Sequence, residues 1–253
     1  MRNLLSIILL VVLVPAFIVS AATAQRQPAV EPVGTIVPTP INLGTFEGQA
    51  SCQVGNLNAG AWIIYSFLTP TEDYKLLFDP MLTCAACPIG LKVTKIYLYL
   101  YTKAKCTVVL SVDVERAILQ SPDCYAPGPV LCQTGLYSSA LPSAGGWILG
   151  IPVNVTDCTA CPGFGCLPMG PKYFLSVHFQ SMTCTNANIG FVTDAGPAAL
   201  CTNWNNDGTG WYDLLGAFPD WPGQLKFFAD ADCCNPPTSV DGSTWGRIKV
   251  LYR

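Results

Sequence analysis

Two adjoining stretches of alternating side chains constrain the fold most. Across residues 106–115, Cys106, Val108, Leu110, Val112 and Val114 fall on one side of an extended chain. Thr107, Val109, Ser111, Asp113 and Glu115 fall on the other. This is the period of two expected of a strand that buries one face. The preceding stretch, residues 91–102, is apolar on both sides, with Val93, Tyr97, Tyr99 and Tyr101 against Ile96, Leu98 and Leu100. That pattern predicts a strand covered on both faces and central in its sheet. Lys103, Ala104 and Lys105 between them predict a tight turn, and so a central hairpin.

Shorter runs bounded by Gly and Pro predict further strands at 61–68, 74–78, 136–141, 147–153, 189–193 and 224–230. A second core strand is predicted at 172–180, where Tyr173, Leu175, Val177 and Phe179 alternate with Phe174, Ser176, His178 and Gln180. Residues 121–128 read as turns. Between residue 25 and the C-terminal tail no helical period is sustained. The predicted class is all-β: a two-sheet antiparallel sandwich, jelly-roll-like and disulfide-linked.

Arg2, an apolar run over residues 4–19 and the small-residue site Ala22-Thr23-Ala24 predict a secretory signal peptide at residues 1–24. No membrane span is expected after its cleavage, and the expected location is extracellular or at the cell surface. Residues 25–45, with Pro28, Pro32, Pro38 and Pro40, predict a linker or an edge strand. The sandwich domain is expected over 46–234, followed by a linker at 235–243 and a basic tail at 244–253. The tail fits either a last edge strand or a sorting signal.

An exported chain meets an oxidising compartment, so its 13 cysteines predict disulfides. An odd thiol is left over. Cys233 and Cys234 are neighbours, and each is expected to pair with a different distant partner. Cys84-Ala85-Ala86-Cys87-Pro88 and Cys158-Thr159-Ala160-Cys161-Pro162 echo each other ahead of strands, a hint of duplication. Their spacing also suits a zinc centre built from Cys84, Cys87, Cys158 and Cys161, but the compartment favours disulfides. No cofactor is expected.

Charged residues make up 11% of the chain, against about 25% in an ordinary soluble domain. Without a basic patch there is no electrostatic footprint for nucleic acid. Asn203, Asn205 and Asp207 partly match a calcium loop, but Leu214 stands where a bidentate Glu is needed. A tight turn explains them as well. The same region holds the candidate binding residues Asn203, Trp204, Asn205, Asp207, Trp211, Tyr212, Asp213 and Trp221. Flat rings beside Asn and Asp suit the C–H faces and hydroxyls of a sugar. Aromatics near turns also serve as core plugs.

Catalysis has less to stand on. His178, the single histidine, lies in a predicted core strand with no nucleophile motif near it. Asp113 with Glu115, and Asp230 with Asp232, are spaced to share a strand face, as a glycosidase's two carboxylates must converge. No context separates their roles, and the chain is not expected to be an enzyme. Asn154-Val155-Thr156 is a glycosylation sequon.

The stretch from Cys201 to Leu214, the later Ala229-Asp230-Ala231-Asp232-Cys233-Cys234 and the ending Thr244-Trp245-Gly246-Arg247-Ile248-Lys249 together resemble a group of uncharacterised secreted bacterial β-sandwich proteins. The resemblance covers the layout from about Cys84 onward. It implies a bacterial extracellular or cell-surface setting and brings no activity or site. The expected function is a binding module with a carbohydrate-like ligand. The alternatives are a structural subunit that self-associates by strand exchange, and a glycoside-active enzyme.

Overall fold

The computed structural model describes residues 26–32, 38–42, 52–158 and 165–234. The predicted signal peptide, the 235–243 linker and the basic tail lie outside the described residues. The first sheet takes β1 (Ala29–Pro32), β2 (Thr39–Asn42), β3 (Cys52–Gly55), β4 (Gly60–Tyr65), β6 (Gly90–Thr102), β10 (Gly145–Pro152), β11 (Leu167–Pro168), β13 (Ile189–Asp194) and β16 (Phe227–Cys233). The second takes β5 (Asp73–Phe78), β7 (Cys106–Ser121), β8 (Cys124–Gln133), β9 (Tyr137–Leu141), β12 (Tyr173–Met182), β14 (Asn203–Asn206) and β15 (Trp211–Asp213).

The central strands run β4-β13-β6-β10 in one sheet and β5-β12-β7-β9 in the other. The chain changes sheet from β4 to β5, β5 to β6, β6 to β7, β9 to β10, β11 to β12 and β12 to β13, and again from β13 to β14 and β15 to β16. This wrapping is a jelly roll, the predicted class. Among the described residues, β2 on β10 is the parallel exception to otherwise antiparallel pairing.

Facing side chains close the interior. Val108, Leu110, Val112 and Val114 of β7 and Leu175 and Val177 of β12 meet Leu98 and Leu100 of β6 and Phe191 of β13, all essentially inaccessible. Each such side chain contributes about 1.5–3 kcal/mol on leaving water.

Three differences from the sequence expectations have physical causes. First, the strands at 91–102 and 106–115 form, but as β6 and β7 in opposite sheets rather than as a hairpin. Both edges of β6 are taken, by β10 on one side and by β16 and β13 on the other. The turn at 103–105 is therefore a corner of the sandwich. Second, Val93 faces the core with Ile96 and Leu98 instead of lying with the tyrosines. Lys95 pairs with Asp230 and Val93 with Ala231, so Thr94 is an extra residue that reverses the alternation. Third, residues 121–128 contribute to a strand. Pro127 and Pro129 are tolerated in β8 because it lies at the sheet's edge.

Six disulfides fit an extracellular protein: Cys52–Cys84, Cys87–Cys233, Cys106–Cys184, Cys124–Cys201, Cys132–Cys158 and Cys166–Cys234. Cys233 and Cys234 do take different distant partners. The four-cysteine zinc alternative fails, since Cys84, Cys87 and Cys158 each bond elsewhere and Cys161 lies outside the described residues.

The Pro-rich N-terminal segment supplies two edge strands, β1 on β4 and β2 on β10, at opposite edges of the first sheet. Arg26 pins its start, donating from Nη1 to the Phe67 carbonyl at 2.6 Å and pairing with Glu72 at 2.9 Å. These are edges that strand exchange between copies would use, and here the chain covers them itself.

Candidate functional site

Opposite residues in an antiparallel ladder share a face, and the register of β5, β12 and β7 gathers charge on the outer face of the second sheet. His178 stands between Asp73 and Ser111, and Ser176 stands between Lys75 and Asp113. Glu115, two residues beyond Asp113, points the same way. Three i, i+2 pairs from three neighbouring strands therefore converge: Asp73 with Lys75, Ser176 with His178, and Asp113 with Glu115.

Two walls turn this face into a cleft of about 390 Å³. On one side β8 places Gln133 opposite Asp113 and Val130 opposite Glu115. Gly128 lets β8 press onto β7, since a Cβ there would meet the Arg116 carbonyl oxygen at 2.4 Å. On the other side stands Trp211, opposite Asn206, which is itself opposite Asp73. Trp211 is 37% exposed at the rim.

The charges inside are unevenly matched. Lys75 and Glu115 form an ion pair whose side chains are 3% and 4% exposed, and the Lys75 ammonium lies 3.9 Å from the Trp211 ring centroid. His178 Nδ1 and Asp73 Oδ1 are 2.5 Å apart. Asp113, 5% exposed, has no ion-pair partner among the described residues. Burial, reinforced by the neighbouring Glu115 charge, pushes the Asp113 carboxyl up to about 7. Burial also raises Glu115, against the opposing pull of Lys75. Asp113 Oδ1, Glu115 Oε2, Ser176 Oγ and Trp204 Nε1 find no hydrogen-bond partner among the described residues. Buried polar atoms are rarely left so.

The raised Asp113 has a stability consequence. A carboxyl whose folded pKa lies above its unfolded value favours the folded state fully below about pH 4 and loses that contribution as pH rises through 7. The melting temperature is expected to fall across that window, and Asp113→Asn should flatten the fall. Parallel wild-type and variant profiles would contradict the assignment.

A family model described as a domain of unknown function, DUF7451, matches residues 47–231. The chain belongs to this family. The matched span contains the whole cleft of this DUF7451 protein and leaves outside it the N-terminal arm and the Cys233-Cys234 pair. No curated protein matches. One solved structure similar to the DUF7451 chain is that of the cysteine protease and lectin-like domains of Cwp84, a surface layer associated protein of Clostridium difficile. It is 11% identical, with a TM-score of 0.44 over 74% of this chain and 37% of that chain.

Of the DUF7451 residues singled out in the sequence, Trp211 reaches the cleft and the others do structural work. Trp204 and Trp221 are 8% and 3% exposed, so the expected aromatic platform reduces to one ring. Trp204 packs with Phe174, Ala117 and Ala126; Trp221 packs on Phe67 and Phe218. Asn203 accepts from the Leu225 amide at 2.9 Å and donates to Gln224. Asn205 donates to the Asp73 carbonyl at 2.9 Å and accepts from the Tyr212 hydroxyl. Asp207 accepts from the Thr209 amide at 3.0 Å in an exposed turn. Asp213 accepts from the amides of Cys201 and Gly216 at 2.7 Å, capping the short helix Leu214–Ala217.

These separate commitments also engage the three residues of the calcium-loop alternative elsewhere. Asn203 and Asn205 are buried in a strand with their side-chain oxygens bonded to the Leu225 amide and the Tyr212 hydroxyl, while Asp207 sits in the turn beyond it. The other carboxylate pair is engaged as well. Asp230 accepts from the Tyr97 hydroxyl at 2.6 Å and from Gln53 at 2.8 Å, and Asp232 stands opposite Lys92. A second cavity, of about 350 Å³ beside Asn56, Asn58, Asp194 and Gln224, is lined by groups that satisfy one another. Asn58 donates to Asp194 at 2.7 Å and Asn56 to the Gln224 carbonyl at 3.0 Å.

Sequence reasoning missed Lys75 and Asp73 as partners of the Asp113 and Glu115 pair. The available signal was that 73–75, 111–115 and 176–178 each carry polar groups at alternate positions of an otherwise apolar strand.

Proposed function

We propose that this protein is a non-enzymatic, secreted or cell-surface binding module, and that the outer cleft of the second sheet takes a carbohydrate-like ligand. The observation that carries this reading is the combination of one exposed indole rim with buried, unpartnered oxygen atoms in the cleft wall. A sugar offers an apolar C–H face to the indole and several hydroxyl donors to the carboxylates. Removing the rim ring should abolish most of the stacking without touching the core. Trp211→Ala is expected to weaken oligosaccharide binding about tenfold while lowering the melting temperature only modestly, through loss of the ring that covers the Lys75 ammonium. Calorimetric titration on a glycan panel checks this, and equal affinities for wild type and variant would count against the cleft.

The second reading, glycoside hydrolysis, draws on one arrangement: burial pushes the Asp113 carboxyl up to about 7 beside Glu115, which is paired with Lys75. It would cast Asp113 as general acid. Reducing-sugar release that disappears in Asp113→Asn would favour this reading over simple binding.

A further inference from the structure

From the charge balance of the cleft we infer that its preferred ligand is an amino sugar carrying a free, protonated amine, which docks against Asp113 with its ring on Trp211. This rests on the carbohydrate reading and narrows it to one ligand class.

Among the described residues, the cleft has no basic side chain left to pair with Asp113. Its basic side chains are already engaged, Lys75 by Glu115 and His178 Nδ1 by Asp73 Oδ1. The remaining groups facing the cavity are Asp113 from β7, Gln133 and Val130 from β8, and Trp211 from β15. Asp113 thus has no ion-pair contact of its own among the described residues; Lys75, committed to Glu115, attracts it only from beyond contact distance, and the other titratable groups that surround it are Asp73, Glu115 and His178. A buried carboxylate in that position is costly by itself and becomes favourable when a cation pairs with it.

The unpartnered atoms point the same way. Asp113 Oδ1 and Glu115 Oε2, on two residues that line the cavity, lack a partner, and both belong to carboxylates that, when ionised, can only accept. A ligand that fits must arrive rich in donors. An ammonium group brings three donors and a positive charge at one point, whereas a carboxylate-bearing sugar brings acceptors and repulsion. The Lys75 ammonium already sits against the rim indole, so the ring's part is to stack on the sugar's C–H face, and the cation is left to the carboxylate. The raised Asp113 carboxyl fits this picture, since an arriving ammonium stabilises the ionised form that burial disfavours.

The test compares three probes on the full chain by calorimetric titration at low ionic strength: a glucosamine hexamer, a glucose hexamer of the same linkage and a galacturonate oligomer. The glucosamine hexamer is expected to bind at least about tenfold more tightly than the glucose hexamer. The galacturonate oligomer should bind weakest, and added salt should narrow the gap. In Asp113→Asn the amine-over-neutral ratio should fall several-fold. Asp73→Asn, on a different strand, should lower it less and guards against a folding defect in the first variant. Equal affinity for amine and neutral hexamers, or an undiminished ratio in Asp113→Asn, overturns the inference and leaves the carbohydrate reading standing. Absence of binding to all three removes that reading and this inference with it.

Discussion

Lys75→Met is expected to destabilise the protein by about 3–5 kcal/mol at neutral pH. The substitution keeps much of the side-chain volume but removes the ammonium, leaving Glu115 4% exposed beside an already uncompensated Asp113. Two like charges would then share one poorly solvated cleft. The penalty should shrink as pH falls, because protonating Glu115 removes the orphaned charge. It should also largely vanish when Glu115→Leu is added, since a buried ion pair replaced by apolar groups of similar size is often neutral or stabilising. Chemical denaturation of the two variants at neutral and acid pH measures all of this. A loss under about 1 kcal/mol for the single substitution would mean that the pair is far better solvated than its burial indicates.

The second large effect concerns the cross-links. Complete reduction is expected to unfold the domain. A bridge typically contributes about 2–4 kcal/mol by restricting the unfolded chain, and longer loops gain more. Six bridges together therefore rival the roughly 5–15 kcal/mol that holds an ordinary domain folded. The loops are long, with sequence separations of 146 for Cys87–Cys233, 78 for Cys106–Cys184 and 77 for Cys124–Cys201. Cys106–Cys184 and Cys124–Cys201 overlap each other and both lie inside the Cys87–Cys233 loop, so each of the three shortens the effective loop of the others. Removing one bridge should cost less than its isolated loop predicts, while removing all of them should cost the fold. Far-ultraviolet dichroism and tryptophan fluorescence under reductant report the outcome. Retained β signal and buried Trp204 and Trp221 with every sulfur reduced would show that the apolar core alone suffices.

How much of this was legible in the residues depends on whether the information is local. Alternation in 106–115 and 172–180 is a property of single strands, and both appear where the pattern places them, as parts of β7 and β12. Apolarity on both faces of 91–102 correctly marks β6 as central. The sheet to which each strand belongs is not local, and so the corner at 103–105 reads as a hairpin. A one-residue bulge at Thr94 is invisible to periodicity, yet it turns Val93 inward. Edge strands such as β8 violate strand propensity because edges tolerate proline.

The cleft divides along the same line. Asp113 with Glu115 and the phase of His178 can be read from their own strands. Their meeting with Asp73 and Lys75 depends on the register of three strands that lie far apart in sequence. The aromatic cluster of 203–221 looks like a surface in sequence because its rings are interleaved with Asn and Asp. In the fold those Asn and Asp side chains satisfy buried backbone and cap a helix, which draws Trp204 and Trp221 inward and leaves Trp211 at the rim. Polar neighbours of an aromatic ring thus mark either a ligand site or a well-satisfied interior. Only the pairing of each polar atom tells the two apart.

The single histidine of the chain lies in the wall of the proposed site. Its imidazole resonances therefore report on this cleft without ambiguity. The most direct measurement is the His178 imidazole spectrum during titration with the glucosamine hexamer. A saturable shift that tracks the calorimetric isotherm is predicted, and Trp211→Ala should suppress it at matched ligand concentration. Binding detected by calorimetry with the His178 resonances unmoved to saturation would place the ligand elsewhere and contradict the account.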